Sequence, residues 1–388
     1  MGVQAKGHLS EATERITTAD LLATVGEGSV TARTLEFWRH QGLLPKAERT
    51  GQQGKQPRWT YPVETMDQLR ALLHFRTKTK DPDLLRVLLW FDGYPIEIER
   101  VRLSVTAILS HTLDSLHKEL ARRSLTSDKD GDWAALEQIG RTLAGKRGPN
   151  ALPRYGRQCR ADRERAITLA LGLFLGNERA ATRLEDDGQH VERLIGLDRG
   201  RRPHGGLPAW LDGPPSDGLD TFARLGSLPA LIETMQSATD DELAASRGFA
   251  RIMLDGVLAL TRIADAFAGT ENASGFSAIS AFRGDPMAAV WLVAFVIAAG
   301  RSATLNESLH TIVDSLSQRV LPLDTRAQEL AALGPDELAN RLPELDRLPF
   351  VEQVRVKRLI SNYRTEVSEG SGTSAKTPAL SDGLLRAE

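Results

Sequence analysis

Three side chains early in a short predicted helix have the chemistry of base recognition. Thr31, Arg33 and Thr34 fall within one helical turn. Hydroxyl and guanidinium groups hydrogen-bond the edges of base pairs, and an α-helix is narrow enough to enter the major groove of DNA. These residue types at this spacing predict a surface that reads double-stranded DNA.

Basic residues on and after this helix could bind DNA phosphates, and they are Arg39, Lys46, Lys55 and Arg58. Such contacts fix the position of a protein on DNA without specifying a sequence. Residues 31–80 contain 10 Lys or Arg residues against 4 Asp or Glu residues, although the whole chain has a net charge of −2. The uneven charge predicts that a polyanion meets this part of the chain. The alternative is that Arg33 and Lys55 are only solvated surface charges.

Patterns typical of catalytic and metal sites are missing from the sequence. It has no H-x-x-x-H pair, no C-x-x-C, no G-x-G-x-x-G after a strand and no G-K-[ST] loop. The single cysteine, Cys159, cannot form an intramolecular disulfide, which favours a reducing compartment. We therefore expect a cytoplasmic protein that is not an enzyme and holds no metal or cofactor.

The elements that would position these side chains can be predicted along the first hundred residues. The first is a helix that is capped by Thr17 and Asp20 and runs to Gly26, and the second is a helix from Thr31 to Gly42. An exposed two-stranded ribbon follows over residues 46–61. A third helix has Pro62 in its first turn, and a fourth runs from Asp81-Pro82 to Gly93.

From Val30 the sequence reads V-T-A-R-T-L-E-F-W-R-H-Q-G-L-L-P. This string resembles the second helix and its exit in MerR-type transcription regulators, where the pattern is near V-S-x-R-T-L-R-Y-Y-E-x-x-G-L-L-P. Arg58-Trp59-Thr60-Tyr61 resembles the family's wing strand, R-x-Y, which implies that Tyr61 contacts DNA together with Arg58. The resemblance covers about residues 15–95. It implies a winged helix-turn-helix that binds double-stranded DNA, as a homodimer on a pseudo-palindromic site.

The resemblance also implies roles for two aromatic residues and shows three departures from the family pattern. Phe37 and Trp38 match the family's aromatic pair, of which one builds the core and the other lies along the DNA backbone. Glu36 stands where the family usually carries an arginine that touches phosphate. The turn over residues 26–29 is some three residues longer than usual, and the segment over residues 58–61 holds one residue too many.

The remainder of the chain is unrecognised but has a helical pattern, so we expect a mainly α protein. The predicted organisation is a flexible N-terminus (1–14), the winged helix-turn-helix (15–95), a long helix and connector (96–145), a basic linker (146–165), an all-helical C-terminal domain (166–366) and a disordered tail (367–388).

The apolar stripe from Ile98 to Leu120 could be a dimer seam or a face packed on its own chain. The basic linker could be a second phosphate-binding arm or a solvated segment. The 15-residue uncharged run over residues 286–300 is short for a membrane span and predicts a buried helix.

Three hypotheses of function follow. The leading one is a sequence-specific DNA-binding protein, a bacterial-type transcriptional regulator, whose helical domain senses an unidentified ligand or protein. The second makes the winged helix a protein-interaction or structural module of a larger assembly. The third makes residues 141–350 an enzyme domain tethered to DNA, and it rests on size alone.

Overall fold

The computed structural model describes residues 15–25, 30–53, 56–124, 129–146, 159–194, 224–268, 285–333 and 335–341, together with Thr221 and stretches of one to three residues up to Ser361. In this part of the chain 15 α-helices accompany one three-stranded antiparallel sheet. The expectation of a mainly α protein is confirmed. The predicted flexible N-terminus, most of the basic linker and the tail lie outside the described residues.

The chain divides into two compact units, Met1–Val105 and Thr106–Glu388. The elements of the first unit are β1 (Arg15–Thr17), α1 (Thr18–Thr24), α2 (Ala32–His40), β2 (Glu48–Gln53), β3 (Gln56–Pro62), α3 (Thr65–Arg76), α4 (Pro82–Phe91) and the start of α5 (Ile98–Arg123). The predicted small domain, residues 15–95, lies within this unit.

Helix α1 begins as predicted, because the Thr17 side chain accepts the Asp20 N–H while the Asp20 carboxylate accepts the Thr17 N–H at 2.7 Å. The predicted ribbon is also present as β2 and β3. The sequence analysis missed β1, which pairs with β3 and makes the strand order β1-β3-β2. A strand of only three residues has too few positions to show an alternating pattern.

Pro62 was expected in the first turn of the third helix, and this prediction is wrong. Pro62 is the last residue of β3, where it lies opposite Arg15 of β1, and α3 begins at Thr65. A proline is tolerated here because the end of a strand does not need its missing N–H donor.

The apolar stripe of α5 is largely buried within the protein itself. Val101, Val105 and Leu109 are fully buried, and Leu120 is nearly so. Side chains already removed from water have no further apolar surface to offer a second chain. These four positions therefore favour packing on the chain itself, while Ile98, Leu113 and Leu116 of the stripe are half-buried and the dimer seam stays a prediction.

The described part of the second unit consists of helices. They are α6 (Lys129–Gly145), α7 (Arg160–Phe174), α8 (Glu178–Thr182), α9 (Leu184–Leu194), α10 (Leu228–Ser237), α11 (Asp240–Ala268), α12 (Met287–Gly300), α13 (Ala303–Ser315), a π-helical turn (Leu316–Val320), α14 (Leu321–Ala332) and α15 (Pro335–Arg341). Helix α12 is mostly buried, as its uncharged sequence predicts. Among the described residues no helix combines the length and apolarity needed to cross a bilayer.

An ion pair joins the start of α11 to the end of α12. The Arg301 guanidinium donates to both carboxylate oxygens of Glu242 at 2.8 and 2.9 Å, and also to the carbonyl of Ser237. Glu242 forms a capping box with Thr239, as predicted from the sequence. Hydrogen bonds from Arg301 first, and from the Thr239 N–H second, lower the pKa of Glu242 from 4.5 to about 2.

Replacing Glu242 with glutamine should reduce how strongly the free energy of unfolding falls at acidic pH. The folded state holds this carboxylate ionised below its ordinary pKa, so its contribution is complete above about pH 5 and is lost as the pH falls toward about 2. The pair is about one-third exposed, so we expect a loss near neutral pH of roughly 1 kcal/mol. Melting temperatures measured in pH steps test this. The exposed Glu233→Gln on α10 is the control, and equal pH profiles for parent and Glu242→Gln would contradict the prediction.

Candidate nucleic-acid interface

Helix α2 presents one apolar face to the core and one mixed polar face to solvent. Leu35 and Trp38 are 1% and 3% exposed, and they pack inward. The opposite side, which we call the outer stripe, consists of four exposed residues at helical spacing: Arg33, Glu36, Phe37 and His40. An amphipathic helix of this kind can offer its outer stripe to a large partner without disturbing the core.

Two threonines, Thr31 and Thr34, cap the first turn of α2. Thr31 is the N-cap, and its hydroxyl accepts the Thr34 N–H at 3.2 Å. The two hydroxyl oxygens lie 2.9 Å apart. Thr31 is exposed and Thr34 is half-buried beside the exposed Arg33. The three residues predicted to reach base edges therefore lie together at the N-terminal end of the helix.

Two residues predicted to contact DNA belong instead to the core. Trp38 is 3% exposed and Tyr61 is 4% exposed. The Arg76 guanidinium carbon lies 4.9 Å from the centre of the Trp38 ring, and Tyr61 pairs with Ile16 across β1 and β3. The aromatic pair divides as expected, since Phe37 is 53% exposed while Trp38 is buried. Trp38 and Tyr61 support the surface from beneath and do not form part of it.

The exit of α2 is held by side chains from three other helices. Gln68 of α3 donates to the Leu43 carbonyl at 2.9 Å, and Arg86 of α4 donates to the Gln41 carbonyl at 2.7 Å. Arg100 of α5 donates to the His40 carbonyl at 3.3 Å. The last carbonyls of a helix lack partners within it, so Arg100 and Arg86 satisfy those of His40 and of the C-cap Gln41, while Gln68 holds the segment that follows.

Glycine is required at the position that follows. Gly42 has φ +69°, which other residues adopt only with strain, and a Cβ atom there would lie 2.6 Å from Nη1 of Arg100. The predicted stop at Gly42 is thus confirmed, and the tight exit lets Arg100 reach the helix end.

Arg86 is the centre of this anchoring. Its guanidinium also donates to the Gln41 side chain at 2.9 Å, to the hydroxyl of Ser104 at 3.1 Å and to the carboxylate of Asp83. The side chain is 14% exposed. Sequence reasoning missed Arg86, Gln68 and Arg100. Only the i,i+3 spacing of Asp83 and Arg86 hinted at a pair, and many solvated pairs share that spacing.

Two of the predicted phosphate-binding cations have acidic neighbours. Arg39 lies 3.4 Å from Glu36, and Lys46 lies 3.4 Å from Glu97. Hydrogen bonds from Arg100 and then Lys46 lower the pKa of Glu97, so this carboxylate stays ionised in mild acid. Both pairs have exposed members and weak surface attraction, so a phosphate could compete for either cation.

The β2–β3 hairpin follows the α2 exit. Its register places Arg49 opposite Trp59 and Gly51 opposite Arg58, with a bulge at Thr50. Trp59 is 43% exposed. Lys55 and the side chain of Arg58 lie outside the described residues, so their predicted contacts stay predictions.

The second unit contains a cleft that is lined by polar side chains. It has a volume of about 270 Å³ and lies between α6, α7 and the start of α9, beside Trp133, Glu137, Glu164 and Arg183. Glu137 accepts the Trp133 indole N–H at 2.7 Å, and Glu164 accepts from Arg141 at 2.9 Å. Protein donors therefore engage both of these carboxylates. The described residues contain no cluster of side chains suited to a metal ion.

Comparison with family models, with curated proteins and with solved structures finds no match for this chain.

Proposed function

We propose that the first unit binds double-stranded DNA, with the outer stripe of α2 in the major groove and the β2–β3 hairpin against the phosphate backbone. The observation that carries this proposal is the combination of an exposed polar stripe on α2 with a helix exit anchored by Gln68, Arg86 and Arg100. A helix that reads base edges must be held rigidly, because direct readout depends on hydrogen-bond geometry.

In this proposal α1, α2 and the hairpin act as a winged helix-turn-helix. Thr31, Arg33 and Thr34 face base edges, while Arg39, Lys46, Lys55 and Arg58 meet phosphates. Glu36 and Glu97 would give up part of their contact with Arg39 and Lys46 when phosphate arrives. The excess of basic residues over residues 31–80 favours the approach of a polyanion. Transcriptional regulation, with the helical unit as the sensing part, follows as the biological role we propose.

Duplex binding by the Arg33→Ala variant tests the proposal. We expect the parent to bind duplex with an affinity that falls as salt rises, and Arg33→Ala to bind its preferred site about tenfold more weakly, because one base contact is lost. Fluorescence anisotropy on fragments from upstream of its own gene, at several salt concentrations, measures both effects.

The matched control is Arg251→Ala, which removes an arginine that is 53% exposed on α11 of the second unit. It changes net charge equally but leaves α2 intact, so we expect parental affinity. If the parent binds no duplex, or if the two variants bind alike, the proposed surface is wrong.

A second candidate, a protein-interaction module, is favoured by the exposed aromatics. Phe37 and Trp59 are 53% and 43% exposed, and such side chains are enriched where proteins associate. Under this candidate the purified chain carries a partner protein and no nucleic acid, as shown by its 260-to-280 nm absorbance ratio, and Phe37→Ala releases that partner. Retention of duplex binding without any partner would argue for the first proposal.

A further inference from the structure

The outer stripe of α2 contains an acid within an otherwise basic region. Glu36 is 61% exposed, and it lies one turn beyond Arg33 and next to Phe37. If this stripe enters the major groove, the carboxylate enters with it. A carboxylate near phosphates is repelled by them, so its presence on a docking face needs a compensating contact.

The major groove offers one kind of group that suits a carboxylate. The exocyclic amino group of cytosine is a hydrogen-bond donor there, and Asp and Glu accept from it. The guanidinium of Arg33 suits guanine, whose edge presents two acceptors. Glu36 lies three positions after Arg33, which is a rise of about 4.5 Å along the helix axis. A base-pair step is about 3.4 Å, so the two side chains would meet neighbouring base pairs.

The surroundings of Glu36 leave part of its carboxylate available. Nη2 of Arg39 lies 3.4 Å from Oε1, and Nε2 of His40 lies 3.9 Å from the same oxygen. Among the described residues no donor contacts Oε2. The Arg39 charge partly offsets the repulsion between Glu36 and phosphates, while Oε2 remains able to accept a hydrogen bond from a base.

We propose that Glu36 is a specificity-determining residue that selects cytosine at one position of the DNA site, beside the base pair read by Arg33. This inference rests on the proposed DNA binding. Glu36 then contributes to the choice of sequence, whereas the surrounding cations contribute mainly to affinity.

Selection of binding sites from a randomised duplex pool tests this role, with parent, Glu36→Gln and Glu36→Ala compared. We expect the parent to select cytosine at one position. Glutamine pairs with adenine in the major groove, so Glu36→Gln should change that position from cytosine to adenine, with a preference of about tenfold. Glu36→Ala should lose the preference there and keep the rest of the site. Glu64→Gln, an exposed acid outside α2, should select the parental sequence.

The result that overturns this inference is distinct from failure of DNA binding itself. If both Glu36 variants select the parental sequence and bind every duplex more tightly, Glu36 acts only as a repulsive charge. A parent that binds duplex without any preference also overturns the specificity role while leaving DNA binding intact. A parent that binds no duplex removes both proposals together.

Discussion

Replacing Arg86 with alanine is expected to destabilise the first unit by roughly 3 kcal/mol, because the lost guanidinium leaves several partly buried acceptors without a donor. Those acceptors are the Gln41 carbonyl and side chain and the Ser104 hydroxyl, while the Asp83 carboxylate loses its ion-pair partner but keeps the Ser104 hydroxyl as a donor. The α2 exit should open more often, so amide hydrogen exchange in α2 should accelerate. Exchange measured by mass spectrometry reports the two units separately.

The control for this variant is Arg70→Ala on the neighbouring helix α3. Arg70 also pairs with an aspartate three residues earlier, Asp67, at 2.7 Å, but the two side chains are 60% and 71% exposed. Exposed pairs contribute less than about 1 kcal/mol, so Arg70→Ala should leave α2 exchange nearly unchanged. Equal effects of the two variants would show that Arg86 does not anchor the helix.

Arg86→Ala should also weaken duplex binding if the proposed function is correct. Arg86 is a positioning residue in that proposal, since it acts on DNA only through the orientation of α2. At a temperature where Arg86→Ala is still folded, its affinity should fall while the salt dependence of binding stays parental, because no phosphate contact is removed. A changed salt slope would mean that Arg86 itself meets a phosphate.

Replacing Asp324 with alanine is expected to cost the second unit about 3–5 kcal/mol, since it leaves the Arg262 charge in a largely buried position. The Asp324 side chain is 4% exposed and that of Arg262 is 17% exposed. Nε of Arg262 donates to Oδ1 at 3.1 Å, and the Gln328 amide donates to Oδ2 at 2.8 Å. This pair joins α11 to α14. Urea unfolding followed by circular dichroism measures the loss.

Two further variants test whether the stability lost in Asp324→Ala comes from the broken ion pair or from packing. Asp255→Ala removes an exposed aspartate that lies 3.9 Å from Arg251 on the same helix α11, and it should cost less than about 1 kcal/mol. The double variant Arg262→Met/Asp324→Leu removes both buried charges and should recover most of the stability lost in Asp324→Ala. If the double variant is no more stable than Asp324→Ala, the loss comes from packing and not from breaking the ion pair.

Local signals in the sequence predicted much of the first unit. The Thr17 and Asp20 pair marked the start of α1, Thr31 and Gly42 marked the ends of α2, and Asp81-Pro82 marked the start of α4. Caps and breakers act within a few residues of themselves, so they can be read without knowing the fold. The same reasoning missed β1, because a three-residue strand exists only through its pairing with β3.

What the sequence by itself determined is the presence of the helices of the first unit and the composition of α2, including the polar residues that make it a candidate for reading DNA. Only the tertiary structure decided which of those residues are available. Trp38 and Tyr61 are buried, Phe37 is exposed, and Arg39 and Lys46 have acidic neighbours. Periodicity assigns residues to a helix face, whereas burial and pairing depend on elements distant in the chain. The contacts of Gln68, Arg86 and Arg100 with the α2 exit span 25 to 60 residues, beyond the reach of any local pattern.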